Sequence, residues 1–279
     1  MKDFKDKVAV VTGGASGIGR GMAERFGAEG MKVVLADVEK SALKQAEAEM
    51  REKGVDVLGV QTDVSKPEEL EQLAQQTLNA FGAVHIVCNN AGVAGAWGLT
   101  WENTREDWDW IMGVNLWGVI HGVRTFLPIM LKQEEAGHIV NTASLAGLMR
   151  GSGIYGVTKQ AVVALTESLY NELAMANAKV HVSVLCPGWV NTKIIDADRN
   201  RPEELSRTVA TAPQAEQIDG MIRGLLKTGL DPSDVAGQVM TAIRDEQLYV
   251  ITHPDMDWLI KDRFDNILAR RNPVPRMLG

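Results

Sequence analysis

The sequence predicts an α/β fold in which helices cover a parallel β-sheet. Short, uninterrupted apolar runs rich in β-branched residues alternate with helix-like segments along the 279 residues, and such runs are typical of strands buried on both faces. The first run, Val8–Thr12, leads directly into a glycine-rich turn and then a helical segment. No repeat, linker or change in composition interrupts the alternation, so we expect one domain over residues 1–279.

Composition and charge disfavour several classes of function. The net charge of −7 leaves no basic surface for nucleic acid or an anionic membrane. Two cysteines in a chain of this length favour a reducing compartment over a disulfide scaffold. The sequence has no basic-then-apolar leader, and no apolar run reaches the roughly 18 residues that a membrane span needs. We therefore expect a cytoplasmic protein without nucleic-acid or membrane partners.

The turn after the first strand has the spacing Gly-x-x-x-Gly-x-Gly, from Gly13 to Gly19. A strand precedes it and a helix to about Glu29 follows it, so it can place a pyrophosphate at the helix N-terminus. Backbone N–H groups converge there, and glycine lets the main chain approach the ligand closely. A merely flexible glycine-rich loop is the alternative, and the flanking elements argue against it.

A carboxylate ends the second apolar run, Lys32–Ala36. Asp37 follows Gly19 by 18 residues, close to the spacing at which an acidic residue binds an adenosine ribose 2′-OH and repels a 2′-phosphate. This favours NAD over NADP as the cofactor. Arg20 is the nearby charge that argues for NADP, and its place at the start of a helix predicts an exposed side chain.

The third and fourth predicted strands, Asp56–Gln61 and Val84–Cys88, end in further candidate ligand-binding residues. Ligands bind at the carboxyl ends of the strands in open α/β sheets. Small and amide side chains suit a backbone that lies against a cofactor, although a plain turn would use the same residues. The candidates are Asp63, Val64, Asn90, Ala91 and Gly92.

A long helix predicted over about residues 104–132 carries Asn115 among apolar neighbours. A buried amide must be paired, so Asn115 either braces the helix or serves a site.

The fifth predicted strand begins at His138 and leads to Ser144, and Tyr155-Gly-Val-Thr-Lys159 follows on a helix. Residues four apart share a helix face, so the phenol of Tyr155 and the ammonium of Lys159 can point into one pocket. A nearby cation lowers the pKa of a phenol and makes it a usable acid and base, while a serine hydroxyl can polarise a carbonyl. The alternative is an exposed tyrosine beside a solvated lysine.

The sixth predicted strand, His181–Cys186, is followed by Pro187, Gly188 and, after a short turn, Thr192. Residues 193–229 are charged and interrupted by prolines, which fits a mobile lid or else a solvated insertion. A helix to Asp245, a seventh strand at 248–251 and a tail helix over about 255–270 complete the chain. The pattern Trp97, Met149, Trp189 and Ile194 suggests walls of an apolar pocket for a bulky or aromatic substrate, or else ordinary packing. Because the histidines are scattered, no metal is expected.

Together these motifs, in this order, resemble the short-chain dehydrogenase/reductase family over nearly the whole chain. The resemblance implies a doubly wound, seven-stranded, Rossmann-type parallel sheet and hydride transfer between NAD(P) and an alcohol/ketone pair, in a homodimer or homotetramer. Parts of the sequence look, more narrowly, like the Cα-dehydrogenases that act on lignin-derived aryl alcohols.

The family's roles carry over residue by residue. Tyr155 would be the general acid/base, Lys159 would hold the nicotinamide ribose and lower the tyrosine pKa, Ser144 would orient the substrate oxygen, and Asn115 would support a proton path to the lysine. The residues expected to bind cofactor are Gly13, Ser16, Gly17, Ile18, Gly19, Asp37, Asp63, Val64, Asn90, Ala91, Gly92, Tyr155, Lys159, Pro187, Gly188, Val190 and Thr192.

One departure from the family pattern concerns the segment between Ser144 and Tyr155, which is shorter here than in many members. This segment borders the expected substrate pocket and leaves the substrate open. Three other functions also remain open: an NADP-preferring carbonyl reductase, a non-catalytic dinucleotide sensor, and a lyase or epimerase that uses NAD only transiently.

Overall fold

The protein is built on a seven-stranded parallel sheet. The computed structural model describes residues 1–95, 99–206 and 213–274, with the backbone alone for 213–216. The strands are β1 Val8–Thr12, β2 Lys32–Asp37, β3 Val57–Gln61, β4 Ile86–Asn89, β5 Gly137–Thr142, β6 Val180–Cys186 and β7 Tyr249–Ile251. Their order in the sheet is β3-β2-β1-β4-β5-β6-β7, and every neighbouring pair is parallel.

Helices connect the strands and cover both faces of the sheet. They are α1 Gly17–Ala28, α2 Lys40–Glu52, α3 Pro67–Phe81, α4 Arg105–Met112, α5 Gly118–Lys132, α6 Gly153–Met175, α7 Pro213–Lys227, α8 Pro232–Asp245 and α9 Asp257–Leu268. Short 3₁₀ turns lie at Leu145–Gly147, Ile194–Asn200, Glu203–Leu205 and Pro254–Met256.

The doubly wound topology predicted from the sequence is confirmed. The chain winds outward from β1 to β3, returns to place β4 beside β1, and then winds to β7. Alternate residues of each strand enter two cores: Val33 and Leu35 of β2 pack in the layer of α1 and α8, whereas Val34 packs in the layer of α3 and α5. The direction of winding changes between β1 and β4, so their carboxyl ends border the crevice in which such sheets bind ligands.

The fourth strand begins two residues later than predicted. The side-chain amide of Gln133 accepts a hydrogen bond from the N–H of Val84 (2.9 Å) and donates one to its carbonyl oxygen (2.7 Å). A distant glutamine thus takes the place of a ladder partner at Val84.

The long helix changes its winding at Asn115. A π-helical segment, Gly113–Trp117, separates α4 from α5. The stretch Arg105–Lys132 is also long and apolar enough, by length and composition alone, to cross a membrane, contrary to the sequence expectation. Its apolar residues include Val119, Phe126 and Met130, which are buried in the cores.

Candidate functional site

The turn between β1 and α1 is shaped for close approach of a ligand. Gly13 and Gly17 have positive φ angles of 63° and 54°, and a Cβ atom at Gly19 would collide with the carbonyl oxygen of Gly13. Ser16 makes no side-chain cap to α1, whose first turn carries no acidic residue. The first N–H groups of α1 therefore have neither a cap nor a repelling carboxylate, which suits an anionic phosphate.

A groove with a cavity volume of about 220 Å³ runs along the carboxyl ends of the strands, from Asp37 at one end to Tyr155 and Lys159 at the other. Most of the residues predicted to bind cofactor meet in it. Its lining includes Gly13, Ser16, Gly17, Ile18, Asp63, Val64, Asn90, Ala91, Gly92, Pro187 and Thr192.

Five predicted residues do not line this groove. Gly19 is buried beneath Gly13, where its lack of a side chain lets the turn close. Ser144, Gly188 and Val190 border a second cavity instead. Asn115 is fully buried behind the groove.

Asp37 lies at the end of the groove with a partly satisfied carboxylate. One of its oxygens accepts from the N–H of Ala15 (3.1 Å) and the other from the N–H of Glu39 (3.0 Å). Burial raises the pKa of Asp37, and these two backbone hydrogen bonds oppose that rise. Each carboxylate oxygen keeps a lone pair with which it could accept from a ribose hydroxyl.

Arg20 does not have the exposed side chain predicted for it. Its side chain is only 12% exposed and forms ion pairs with Glu24 (3.0 Å) and Glu49 (3.1 Å). These ion pairs hold the guanidinium of Arg20 between α1 and α2, so Arg20 is not available to bind a 2′-phosphate.

Thr12 fixes the chain after β4 against the end of β1. Its hydroxyl accepts from the N–H groups of Asn90 (2.9 Å) and Ala91 (3.0 Å), and the Asn90 amide donates to the Thr12 carbonyl oxygen (3.0 Å). These contacts hold the floor of the groove in one position. No pattern in the sequence indicated this role of Thr12.

Tyr155 and Lys159 share one face of α6 and line the same groove. Lys159 is buried; its Nζ atom donates to the carbonyl oxygen of Thr142 (3.0 Å) and lies 5.5 Å from the centroid of the Tyr155 ring. The Ser144 hydroxyl accepts from the N–H of Ala146 (3.1 Å) and donates to the carbonyl oxygen of Pro187 (3.3 Å). The three side chains therefore converge where the groove ends.

The pKa of Tyr155 moves in the direction opposite to the sequence prediction. Burial raises it to about 12, and hydrogen bonding with Ser144 opposes that rise. The same burial lowers the pKa of Lys159 to about 8. Desolvation disfavours the phenolate of Tyr155 and the ammonium of Lys159. Among the groups of the protein itself, this effect is larger than the attraction between the two charges.

Asn115 braces the site from the π-helical segment. Its amide accepts from the N–H of Val93 (2.8 Å) and donates to the carbonyl oxygen of Val93 (2.9 Å). It also donates to the hydroxyl of Thr158 (3.3 Å), which in turn donates to the carbonyl oxygen of Tyr155 (2.8 Å). A chain of hydrogen bonds thus links Asn115 to the backbone of the tyrosine, and not directly to Lys159.

A second cavity of about 180 Å³ adjoins Tyr155 and Ser144. Its described lining carries no charged side chain. Trp189, Met149 and Ile194 line it, as the sequence suggested, while Trp97 lies outside the described residues. Further walls come from α7, which lies within the predicted lid, and from the tail, to which the sequence did not point: Ile222, Leu226, Met256 and Leu259.

Comparison with known sequences identifies the family of this chain. The sequence profile of the short chain dehydrogenase family matches residues 7–203. The chain belongs to the short-chain dehydrogenase/reductase family. It is therefore an oxidoreductase of this family, as its named relatives indicate.

Three members of this family are similar over most or all of their length. The CLA biosynthesis dehydrogenase/reductase of Lactiplantibacillus plantarum is 34% identical over 278 residues, or 98% of this chain and 97% of that protein. A C alpha-dehydrogenase of Sphingobium sp. is 34% identical over 276 residues, or 98% of this chain and 89% of that protein, which supports the narrower resemblance. The crystal structure of a family member from Burkholderia phymatum in complex with NAD is 45% identical, with a TM-score of 0.97 and complete coverage of both chains.

In the present protein, the segment after β6 crosses the groove to the end that carries Asp37 and Glu39, a contact that the sequence did not reveal. Arg199 and Asn200 bond to the carboxylate of Glu39 at 2.5 and 2.8 Å. Arg201 forms a buried ion pair with Asp107 at 2.7 Å. These contacts fix residues 194–201 over the groove.

No group of three or more histidine, cysteine, aspartate or glutamate residues is placed to hold a metal ion within the described parts of the chain. The expectation that the protein uses no metal stays a prediction.

Proposed function

We propose that this protein is an NAD-dependent dehydrogenase that interconverts a bulky, apolar secondary alcohol and its ketone, with Tyr155 as general acid/base. The observation that carries the proposal is the place of Tyr155, which lines both the polar groove and the apolar cavity. A group at the junction of a dinucleotide groove and an apolar cavity can exchange a proton with a substrate that lies against the cofactor.

The chemistry of the groove suits a dinucleotide along its lining. Phosphates fit the uncapped turn of α1, a ribose diol fits the carboxylate of Asp37, and a second ribose fits the Lys159 ammonium. A nicotinamide held there would supply the hydride acceptor for the alcohol and the hydride donor for the ketone. The NAD bound by the structurally similar Burkholderia protein supports this assignment.

The side chains around Tyr155 then have separate roles in proton transfer. In alcohol oxidation, Tyr155 takes the hydroxyl proton as the hydride leaves, and in ketone reduction it returns that proton to the oxygen. Ser144, two residues beyond the end of β5, donates a hydrogen bond to the substrate oxygen after turning from the Pro187 carbonyl. Lys159, held by Thr142, stabilises the phenolate that forms. Asn115 fixes the Tyr155 backbone through Thr158.

Asp37→Ala tests the choice of cofactor. The variant loses a charged acceptor for the ribose hydroxyls and a repelling charge for a 2′-phosphate. We expect kcat/KM with NAD to fall by about 10- to 100-fold, with a smaller change for NADP. Asp56→Ala removes the same charge from an exposed position before β3 and is the matched control. An unchanged NAD/NADP ratio in Asp37→Ala would remove the ribose role of this residue.

The substrate class follows from the second cavity. Its apolar walls recognise a ligand by buried area, and an aromatic or bulky ring fills them better than a short chain. A substrate with a carboxylate would place that charge among uncharged walls without a partner.

A panel of alcohols tests both the function and the substrate class. We expect secondary aryl alcohols to reduce NAD with kcat/KM at least about tenfold higher than short aliphatic alcohols or polyols, since each buried CH₂ contributes about 0.8 kcal/mol. NADH absorbance is the readout. Trp189→Ala should remove this preference, whereas Trp101→Ala, at a position 79% exposed, should retain it. Higher kcat/KM for polyols would contradict the proposed substrate class.

The same panel separates the remaining alternatives. A sensor would bind NAD without turnover, and a lyase or epimerase would convert substrate without net formation of NADH. The two carboxylates at the adenosine end, Asp37 and Glu39, disfavour an NADP-preferring reductase. The single domain, the mobile lid over residues 193–229, the homodimer or homotetramer and the cytoplasmic location stay predictions.

A further inference from the structure

We propose that the C-terminal helix α9 is a substrate-specificity element, held by Arg150 and Arg263 against the loop between Ser144 and Tyr155. The proposal rests on the proposed function and concerns which alcohols the enzyme accepts. The apolar cavity lies between these two parts of the chain. Leu145 and Met149 of the loop line it together with Met256 and Leu259 at the start of α9. The width of the cavity therefore depends on how α9 sits on the loop.

The described part of α9 has no fully buried side chain. Its partly buried Ile260 packs against a small core cluster, while Phe264, Ile267 and Leu268 are exposed. Because α9 buries little apolar surface, apolar packing stabilises its position only weakly. Its polar contacts therefore determine where it lies.

Arg263 of α9 bonds to the loop and to the catalytic helix. Its guanidinium donates to the carbonyl oxygens of Gly147 (3.4 Å) and Leu148 (3.1 Å) and to the side-chain oxygen of Gln160 (3.1 Å). Gln160 follows Lys159 in α6, and its amide donates to the carbonyl oxygen of Met149 (3.4 Å). One arginine thus connects α9, the loop and α6.

Arg150 makes the second connection. Its guanidinium lies 2.5 Å from the carboxylate of Asp262 on α9, and the two side chains are 30% and 31% exposed. The residues that follow it, Gly151, Ser152 and Gly153, all have positive φ angles, of 89°, 72° and 52°. Ser152 is not a glycine, so this conformation is strained and needs contacts that hold it.

Close packing on α6 holds the Ser144 end of the loop in place. A Cβ atom at Gly147 would lie 2.6 Å from the carbonyl oxygen of Lys159, which shows how closely the loop backbone packs on α6. We therefore expect Ser144 and Tyr155 to keep their positions when the middle of the loop shifts, so that the cavity wall changes and the catalytic residues do not. Arg150 and Arg263 are therefore positioning residues, which act through the loop and through Met256 and Leu259.

Charge reversal tests the ion pair. We expect Arg150→Asp and Asp262→Arg each to raise KM for a bulky aryl alcohol by at least about tenfold, while KM for NAD and kcat/KM for a short secondary alcohol stay within about twofold. The double variant, which restores an opposite pair, should recover the aryl KM. Arg263→Lys should retain more of the aryl preference than Arg263→Met. Lys261→Ala breaks the exposed Lys261–Asp265 pair on the same helix and is the matched control.

Hydrogen exchange separates this inference from the proposed function. Amides of residues 145–151 and 257–268 should exchange faster in each single variant and return to the wild-type rate in the double variant. If the wild-type enzyme oxidises no alcohol, the proposed function fails. This exchange pattern would still support the inference that Arg150 and Arg263 hold α9 against the loop. Unchanged exchange, equal losses for large and small alcohols, or a double variant without recovery would each overturn the inference.

Discussion

Replacing Tyr155 by phenylalanine is expected to lower kcat for alcohol oxidation by about 10³- to 10⁴-fold and to leave the Kd for NADH within about threefold of wild type. The substitution removes only the hydroxyl, so the ring still fills its place between the groove and the apolar cavity. Steady-state kinetics and a fluorescence titration with NADH measure the two quantities separately.

Tyr170→Phe is the matched control for this variant. Tyr170 lies on the same helix, α6, but its side chain is 43% exposed and borders neither cavity. The control should retain wild-type kcat. Retained turnover in Tyr155→Phe would show that another group moves the proton, and the proposed mechanism would be wrong.

The pH dependence follows from the same residue. Burial raises the pKa of Tyr155 to about 12, so at neutral pH the phenol is protonated unless the bound cofactor and Lys159 favour its ionised form. Oxidation needs the ionised form and should accelerate as pH rises. Reduction needs the protonated form and should slow as pH rises. Opposite slopes in the two directions are therefore expected.

The sheet could be predicted because buried parallel strands have a recognisable sequence pattern. A strand covered on both faces needs apolar residues along its length, as at Val8–Val11 of β1, and a glycine turn that receives a helix N-terminus has a fixed spacing. The proximity of Tyr155 and Lys159 could also be predicted, because helical periodicity places residues four apart on one face.

Contacts between distant parts of the chain could not be predicted in this way. Arg199 and Glu39 are separated by 160 positions, and no local pattern connects them. The same is true of Arg263 and the loop after Ser144. The direction of the Tyr155 pKa also depends on burial, which the motif does not encode, so the sequence prediction that the lysine cation would dominate was wrong for the protein's own groups.

Replacing Lys159 by methionine is expected to weaken both catalysis and cofactor binding. The variant keeps the side-chain length but loses the cation that lies 5.5 Å from the Tyr155 ring. Without that charge the phenolate is less favoured, so the tyrosine pKa rises, and the rising limb of the oxidation rate should move to higher pH by about 1–2 units. We also expect kcat at pH 7 to fall by about 100-fold and KM for NAD to rise. Full pH profiles of kcat/KM measure the shift.

The same variant should be more stable than the wild type, which distinguishes a functional loss from a folding defect. Burial lowers the pKa of Lys159 from 10.5 to about 8, so keeping its charge costs the folded state roughly 3 kcal/mol below pH 8, and this cost fades as pH rises to 10.5. Losing the hydrogen bond to Thr142 offsets about 1 kcal/mol of the gain. Denaturant unfolding at pH 7 should therefore show a higher free energy of unfolding for Lys159→Met than for the wild type. The variant Lys44→Met, at an exposed position, is the control. An unmoved pH limb together with unchanged stability would mean that Lys159 neither tunes the tyrosine nor carries a buried charge.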